Sequence, residues 1–108
     1  MARPAVGHQE ILDPGEVFYF KAAAHDSLVR TARRTVYRST RRLRDLEARL
    51  PNPPFFRCHD SYIVNLARVR SLEARGRDAL LRLDPPVNAR LPLARGRLGA
   101  FRRAMALD

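Results

Sequence analysis

Short hydrophobic runs, separated by polar and proline-containing turns, occupy most of the chain. The clearest is residues 17–20, Val-Phe-Tyr-Phe, whose β-branched and aromatic side chains favour an extended backbone. Residues 11–12 predict a short strand that enters a turn over residues 13–16. The same pattern predicts strands over residues 27–31, 35–38, 67–72, 79–83 and 87–93, the last with Val87, Ala89, Leu91 and Leu93 facing inward.

Two segments change to the spacing of a helix. Leucines at i, i+3 and i+7 predict a helix over residues 39–50, with Ser39 or Thr40 as its N-cap, and the prolines of residues 51–54 end it. A second helix is predicted over residues 96–106, with Leu98, Phe101 and Met105 on one stripe. Because both helices are short and lie at connections, the pattern indicates a mostly β (α+β) domain of antiparallel strands, roughly six of them, with two short helices.

The remaining segments predict connections. Small and polar side chains indicate a loop over residues 22–26, a hairpin turn over residues 32–34 and a loop over residues 75–78. Residues 1–9 predict a flexible tail and residues 10–108 a single domain, because 108 residues support one compact core.

The charge balance favours a polyanionic partner. The chain has 21 Lys and Arg against 11 Asp and Glu, a formal net charge of +10, and its apolar content of 45% is enough for a folded core. Lys21 is the only lysine, and arginine binds phosphate and guanine edges in a bidentate way. Codon preference explains arginine over lysine equally well, but not the excess of positive charge. Nucleic acid is therefore favoured over a membrane surface.

Several classes of protein are excluded by what the sequence lacks. No apolar run approaches the ~20 residues of a membrane-spanning helix, and residues 1–7 do not form a signal peptide, so we expect a cytoplasmic protein. The single Cys58 excludes an internal disulfide and a cysteine-based zinc site. His59, Asp60 and Ser61 are consecutive and cannot converge as a hydrolase triad, and no glycine-rich phosphate loop is present. We expect no enzyme, metal, cofactor or small-molecule substrate.

Residues 55–66, Phe-Phe-Arg-Cys-His-Asp-Ser-Tyr-Ile-Val-Asn-Leu, are the most specific motif. This segment resembles the signature of the LytTR-type DNA-binding domain of bacterial response regulators. The matching features are, in order, an aromatic pair, Arg, His, Ser, an aromatic residue and an aliphatic pair before Asn. Leu-Glu-x-x-Leu at residues 46–50 and an arginine before the last helix agree, and the resemblance covers about residues 10–107. We expect the apolar motif residues to form core and Asn65 to cap or bridge backbone groups.

The resemblance implies sequence-specific binding of double-stranded DNA in transcription regulation, with loops entering successive major grooves. Base contacts would come from His25 and Ser27, from Asp60, and from Arg95, which can bind guanine O6 and N7. Phosphate contacts are expected from residues of the motif, from the start of the last helix and from the arginine-rich segment 33–44: Arg57, His59, Ser61, Arg97, Arg33, Arg34 and Arg38. A solvated surface is the alternative for the arginine-rich segment.

The regulatory context follows from the same resemblance. Family members usually carry a receiver domain of a two-component system, whose phosphorylation drives dimerisation on direct repeats. The residues before Ile11 are too few for a receiver, so the chain is either a stand-alone protein or a part of a longer one.

Two positions, Asp60 and Ala94, depart from the family pattern, and a third residue, Cys58, has possible redox chemistry. Asp60 replaces the usual Arg, Lys or Asn, and could accept from cytosine N4 or form a salt bridge with Arg57. Ala94 replaces a frequent serine. For Cys58, a buried, inert thiol is the favoured interpretation. The alternative is a redox-active cysteine whose thiolate is stabilised by the neighbouring Arg57 and His59.

Other functions stay open beside the regulator hypothesis. A general basic nucleic-acid binder would contact only phosphates. An interaction protein would use the fold to sequester another regulator. A membrane-surface role for the helix over residues 39–50 has less support, because its apolar stripe is narrow.

Overall fold

The computed structural model describes residues 14–33 and 36–106. In these ranges the chain forms eight strands and two α-helices, with three short 3₁₀-helices, Pro14–Glu16, Leu66–Arg68 and Arg95–Arg97. The strands are β1 (Val17–Ala23), β2 (Asp26–Thr31), β3 (Val36–Ser39), β4 (Phe55–His59), β5 (Tyr62–Asn65), β6 (Val69–Arg75), β7 (Asp78–Leu83) and β8 (Arg90–Leu93), and the α-helices are α1 (Leu43–Arg49) and α2 (Leu98–Ala104). The predicted tail, the predicted strand over residues 11–12 and Arg34 lie outside the described residues.

A five-stranded antiparallel sheet has the order β3-β2-β1-β5-β4. Its central strand, β1, is the predicted Val-Phe-Tyr-Phe run, extended to Ala23. The predicted loop over residues 22–26 is shorter than expected, because Ala23 pairs with Asp26 and only residues 24–25 form the turn.

The two faces of this sheet bury different clusters. One face packs against α1 through Phe20, Phe55 and Leu43. The other face, with Phe18 and Phe56, packs against the second sheet and α2. The adjacent phenylalanines of the motif therefore serve opposite faces of β4, as strand alternation requires. The expectation that the apolar motif residues form core is confirmed, with Tyr62 half-buried at its margin.

Helix α1 starts later than predicted. Ser39 pairs with Ser27, so β3 continues through Ser39 and the backbone turns into the helix only after residues 40–42. Arg42 is the N-cap, without a side-chain cap, and Ser39 instead accepts a hydrogen bond from the Arg41 N–H. The prediction of Ser39 or Thr40 as N-cap is therefore wrong, while the helix ends before Pro51 as expected.

The second sheet has three antiparallel strands in the order β6-β7-β8. β6 begins at Val69 rather than residue 67, because Leu66–Arg68 forms a 3₁₀-helix. Asn65 caps that helix: its side chain accepts from the Ala67 N–H at 3.0 Å and donates to the Val17 carbonyl at 2.8 Å, which confirms the predicted role of Asn65. β8 begins at Arg90 rather than residue 87, after a turn over residues 84–89.

The fold class predicted from the sequence is confirmed. The motif segment, which strand periodicity left unassigned, adds β4 and β5 and raises the strand count from about six to eight. The molecule is elongated, with principal extents of 43 × 26 × 22 Å.

Candidate nucleic-acid interface

Four segments that are distant in sequence meet at one edge of the five-stranded sheet. Lys21 pairs with Tyr62, and the Ala22 N–H donates to the Ser61 carbonyl at 2.9 Å, so the turns at residues 24–25 and 60–61 lie side by side. β3 ends at this edge, which places residues 40–44 there. Arg97 attaches the Arg95–Arg97 helix to this region by donating to the Arg57 carbonyl of β4 and to the Asp60 carboxylate of the second turn. We call these four segments the basic edge.

An open depression of about 350 Å³ lies in the basic edge. It is lined by residues from both turns, from the start of α1 and from β4: Ala22, Ala24, His25, Asp26, Arg42, Leu43, Arg44, Arg57 and Asp60. The structure therefore brings His25 and Asp60, two of the predicted base-contacting residues, into one concave surface.

His25 is exposed at the turn, and its orientation is set by Arg42. Arg42 Nη2 lies 3.1 Å from His25 Nδ1. Because a guanidinium only donates, Nδ1 accepts and Nε2 of the neutral ring carries the proton. The Nε2–H group is thus the donor that His25 can offer to a ligand.

The Arg57 guanidinium binds other groups of the protein. Its Nη1 forms an ion pair with Glu47 at 2.9 Å, Nε donates to the His59 carbonyl at 3.0 Å, and Nη2 donates to the Asp60 carbonyl at 2.7 Å. The side chain is only 18% exposed. The prediction of Arg57 as a phosphate contact is therefore replaced by a positioning role for the turn at residues 60–61, which the sequence did not indicate.

Asp60 and Arg97 are also paired. Arg97 Nη2 lies 3.0 Å from Asp60 Oδ1, and Arg97 Nη1 donates to the Arg57 carbonyl. The alternative that Asp60 forms a salt bridge with Arg57 is wrong, because Arg57 binds the backbone carbonyl of Asp60 and not its carboxylate. The Asp60 side chain is 88% exposed.

His59 and Ser61 form a local hydrogen bond within the same turn. The Ser61 N–H donates to His59 Nδ1 at 3.0 Å, so Nε2 of a neutral His59 is the protonated nitrogen. The Ser61 hydroxyl forms no hydrogen bond in the described part of the chain. Both residues keep a donor for an anion.

Arg95 is exposed at the start of the 3₁₀-helix Arg95–Arg97. Its side chain has no hydrogen bond or ion pair among the described residues, and the same holds for the exposed side chains of Arg41 and Arg44. The basic edge thus carries three arginines whose donors are free to bind a ligand.

Ser27 is misassigned by the sequence analysis. It lies in β2, is completely buried, and donates from its hydroxyl to the Arg41 carbonyl at 2.9 Å. A buried donor that is already satisfied cannot contact a base. Ser27 instead holds the segment before α1 against the sheet.

The arginine-rich segment 33–44 is divided by β3. Arg33 follows the end of β2 and lies at the end of the sheet opposite the basic edge, because Thr31 pairs with Val17. Arg38 is nearer the basic edge, where it forms an ion pair with Asp26 at 3.3 Å. The segment is therefore not one continuous basic surface, and Arg33 is removed from the predicted contacts.

Cys58 is fully buried, and its Sγ donates to the Tyr62 carbonyl at 3.8 Å. Burial raises the pKa of the Cys58 thiol from 9.0 to about 12, outweighing the opposite effects of Arg97 and Arg57. The surroundings fit the favoured interpretation of a buried, inert thiol, because burial outweighs the neighbouring charges that favour a thiolate.

Two further observations concern the described residues only. No group of His, Cys, Asp or Glu among them is arranged to hold a metal ion. No helix among them is long and apolar enough to cross a membrane.

Comparison with known proteins identifies the family. The model of the LytTr DNA-binding domain matches residues 8–106, nearly the whole chain. The chain belongs to this family. The resemblance found in the sequence motif is thereby confirmed, and so is the expectation of a DNA-binding domain rather than an enzyme.

Similar proteins include regulators and one solved LytTr structure. The chain is 35% identical over 98 residues to the CO-responsive transcriptional regulator RcoM of Rhodospirillum rubrum, covering 91% of this chain and 41% of that protein. It is 28% identical over 92 residues to the transcriptional regulatory protein YpdB of Escherichia coli K12, covering 85% of this chain and 37% of that protein. This LytTr domain thus spans about two fifths of these relatives.

The solved structure supports the fold alone. It is the LytTr DNA-binding domain of a putative methyl-accepting/DNA response regulator from Bacillus cereus, and it matches with a TM-score of 0.76 at 24% identity, covering 87% of this chain and 84% of that one.

Proposed function

We propose that this LytTr domain binds double-stranded DNA sequence-specifically, as the DNA-binding part of a bacterial transcription regulator in the cytoplasm. The observation that carries the proposal is that His25 and Asp60, from two distant turns, line one depression. The 3₁₀-helix that begins with Arg95 is bound to Asp60 through Arg97. The net charge of +10 supports a polyanionic ligand.

The base contacts are assigned to three side chains. Arg95 has its full set of donors available and can bind guanine O6 and N7 together. His25 offers Nε2–H to a base acceptor, because Arg42 occupies Nδ1. Asp60 can accept from cytosine N4 with the carboxylate oxygen that does not bind Arg97.

The phosphate contacts are assigned to residues around these three. Ser61 and His59 offer compact donors at the turn, and Arg41 and Arg44 offer unpaired guanidinium groups at the start of α1. Arg38 and Arg97 join them once their exposed ion pairs open, which costs little in water.

The contacts lie on turns and a 3₁₀-helix rather than on one recognition helix. We therefore propose that these segments enter successive major grooves, which lie about 34–36 Å apart on one face of DNA. Binding of two copies to a direct repeat belongs to the same proposal.

The regulatory input is assigned to the rest of a longer regulator or to a partner. The relatives named for transcription regulation are more than twice as long as this chain, and one of them is CO-responsive. We propose a comparable arrangement here, with a receiver or sensory domain acting on this DNA-binding domain.

The test is selection from a randomised duplex library at about 0.15 M salt, where loose electrostatic binding is weakened. A short enriched motif, repeated in one orientation, supports a specific regulator. Binding of unrelated duplexes with affinities within about tenfold of one another indicates a general binder instead. If no duplex is retained, the proposed function fails and protein partners become the target of the search.

A variant links the selected motif to the basic edge. We expect Arg95→Ala to weaken binding to the selected duplex by about 1–3 kcal/mol and to relax preference at one base position. The control is Arg49→Ala, which removes the same charge from an exposed residue at the last position of α1, whereas the basic edge contains the start of this helix. Unchanged affinity and preference in Arg95→Ala would show that Arg95 does not contact a base.

A further inference from the structure

The β6–β7 turn lies at the same end of the molecule as Arg95. β7 and β8 are neighbours, with Ala79 opposite Leu93. Arg77 lies two residues before Ala79, ahead of the start of β7, and Arg95 lies two residues after Leu93, beyond the end of β8. The β6–β7 turn and Arg95 therefore follow from the same end of the three-stranded sheet. The Ala94 N–H donates to the Cys58 carbonyl at 2.8 Å, which joins this end of β8 to β4 just before the turn at residues 60–61.

The turn is short and open. Arg75 pairs with Asp78, so residues 76–77 alone connect the two strands. Gly76 has a φ of +59°, which glycine adopts without steric cost, and no atom lies within 4 Å of where its Cβ would be. The turn therefore presents its flanking side chains directly to solvent.

Arg75 and Arg77 are both exposed, and neither forms a hydrogen bond or ion pair within the described ranges. In contrast, Arg90 of the same sheet forms an ion pair with Glu73 at 3.1 Å. The one acidic group on the turn, Asp78, is exposed as well. Together with Arg95, the region contains three unpaired arginines and one carboxylate, which favours binding of a polyanion.

We propose that Arg75 and Arg77 form a further phosphate-binding segment that holds the DNA backbone beside the base contacted by Arg95. The inference rests on the proposed function, and it adds a contact from the second sheet to those from the five-stranded sheet. Phosphate contacts fix the position of the protein on the duplex and carry no sequence information. The segment therefore strengthens binding to every sequence and leaves the preferred motif unchanged.

The experiment measures duplex binding by fluorescence anisotropy for the wild type and for the double variant Arg75→Ala/Arg77→Ala. Titrations from about 0.05 to 0.2 M salt use the selected duplex and a scrambled one. The expected result is a similar loss of affinity on both duplexes, and a log–log salt dependence less steep by up to about 1.8, or about 0.9 for each lost contact. The matched control is Arg33→Ala/Arg49→Ala, which removes the same charge from the opposite end of the sheet.

A second measurement locates the contact on the DNA. Base pairs are removed stepwise from the duplex end beyond the base that Arg95 contacts. We expect the wild type to lose affinity when the phosphates held by the turn are removed, while Arg75→Ala/Arg77→Ala does not respond to the same truncation. Equal thermal unfolding of the variants and the wild type shows that the fold is retained.

The outcomes separate this inference from the proposed function. Selective binding by the wild type with no effect of Arg75→Ala/Arg77→Ala, or an equal effect of the control variant, overturns the phosphate-binding segment alone. A changed preferred motif overturns it too, because the turn would then contact bases. If the wild type binds no duplex, the proposed function and this inference both fail.

Discussion

Asp60 and Arg97 are joined by an ion pair across the basic edge, with 3.0 Å between Oδ1 and Nη2. The Asp60 side chain is 88% exposed, so water competes for both groups. Ion pairs of this kind contribute only about 0–1 kcal/mol. The pair therefore opens at little cost, while its carboxylate lowers the positive charge that the edge presents to phosphates.

We predict that Asp60→Asn raises the affinity for scrambled duplexes, and raises it less for the selected duplex, where the Asp60 carboxylate is assigned to a base. The variant removes one negative charge and frees Arg97 Nη2, which then gains a phosphate contact. The salt dependence of the binding constant should become steeper by about 0.9 on a log–log scale. Titrations of one selected and one scrambled duplex at several salt concentrations measure this change.

Glu16→Gln is the control for Asp60→Asn. Glu16 is exposed at the start of β1, at the opposite end of the sheet, and its replacement raises the net charge by the same amount. An equal gain in both variants would attribute the effect to the overall field of the protein. An equal gain on the selected and the scrambled duplex would show that the Asp60 carboxylate does not accept from cytosine N4.

Ser27→Ala should reduce stability rather than sequence preference. The substitution removes the buried donor of the Arg41 carbonyl and leaves that group without its partner. We expect the free energy of unfolding to fall by about 1–2 kcal/mol, measured by urea denaturation. Ser71→Ala is the control, because Ser71 is half-buried and forms no hydrogen bond in the described part of the chain; its effect should stay within about 0.5 kcal/mol. A change in the selected motif for Ser27→Ala would restore it as a base contact.

The parts of the fold that depend on local pattern were predictable from the sequence. β1 follows from its Val-Phe-Tyr-Phe run, and the end of α1 follows from the prolines after it. The buried motif side chains, and Asn65 between them, follow from strand alternation and from the local hydrogen bonding of asparagine.

The features that depend on pairing register and tertiary packing were not predictable. Ser27 begins a predicted strand, but the burial of its side chain follows only from its pairing with Ala22 and Ser39 on both sides. Arg33 and Arg38 are neighbours in sequence, yet a strand advances about 3.3 Å per residue, so β3 separates them. Arg97 contacts Asp60 across 37 positions, and no sequence pattern indicates that pair.

Ala24→Gly should stabilise the domain. Ala24 has a φ of 56° in the turn before His25, a left-handed conformation that costs a residue with a Cβ about 1–2 kcal/mol. Glycine removes this cost but gains entropy in the unfolded chain, which offsets about 0.4–1 kcal/mol. We expect a net rise in the free energy of unfolding of up to about 1 kcal/mol. Ala23→Gly, one residue earlier in β1, should have the opposite sign, and equal signs for the two variants would contradict the strain.

The last prediction concerns the pH dependence contributed by Cys58. The thiol has a pKa of about 12 in the folded protein against 9.0 when exposed. The folded state therefore holds its proton while the unfolded state releases it. The resulting stability is complete below pH 9.0 and is lost as the pH rises toward about 12. Relative to Cys58→Ala, the wild type should lose about 1 kcal/mol between pH 9 and pH 10, because the unfolded thiol is already half deprotonated at pH 9.

Urea denaturation of the wild type and Cys58→Ala at both pH values measures this difference, because all other titrating groups are shared and cancel. Alkylation by iodoacetamide gives an independent readout: at pH 8 the folded wild type should react far more slowly than the urea-unfolded chain, since the thiolate is the reactive form. Hydrogen peroxide should leave duplex binding by the folded protein unchanged for the same reason. Rapid alkylation of the folded protein, or a reversible loss of binding that Cys58→Ala abolishes, would instead establish Cys58 as an accessible redox switch.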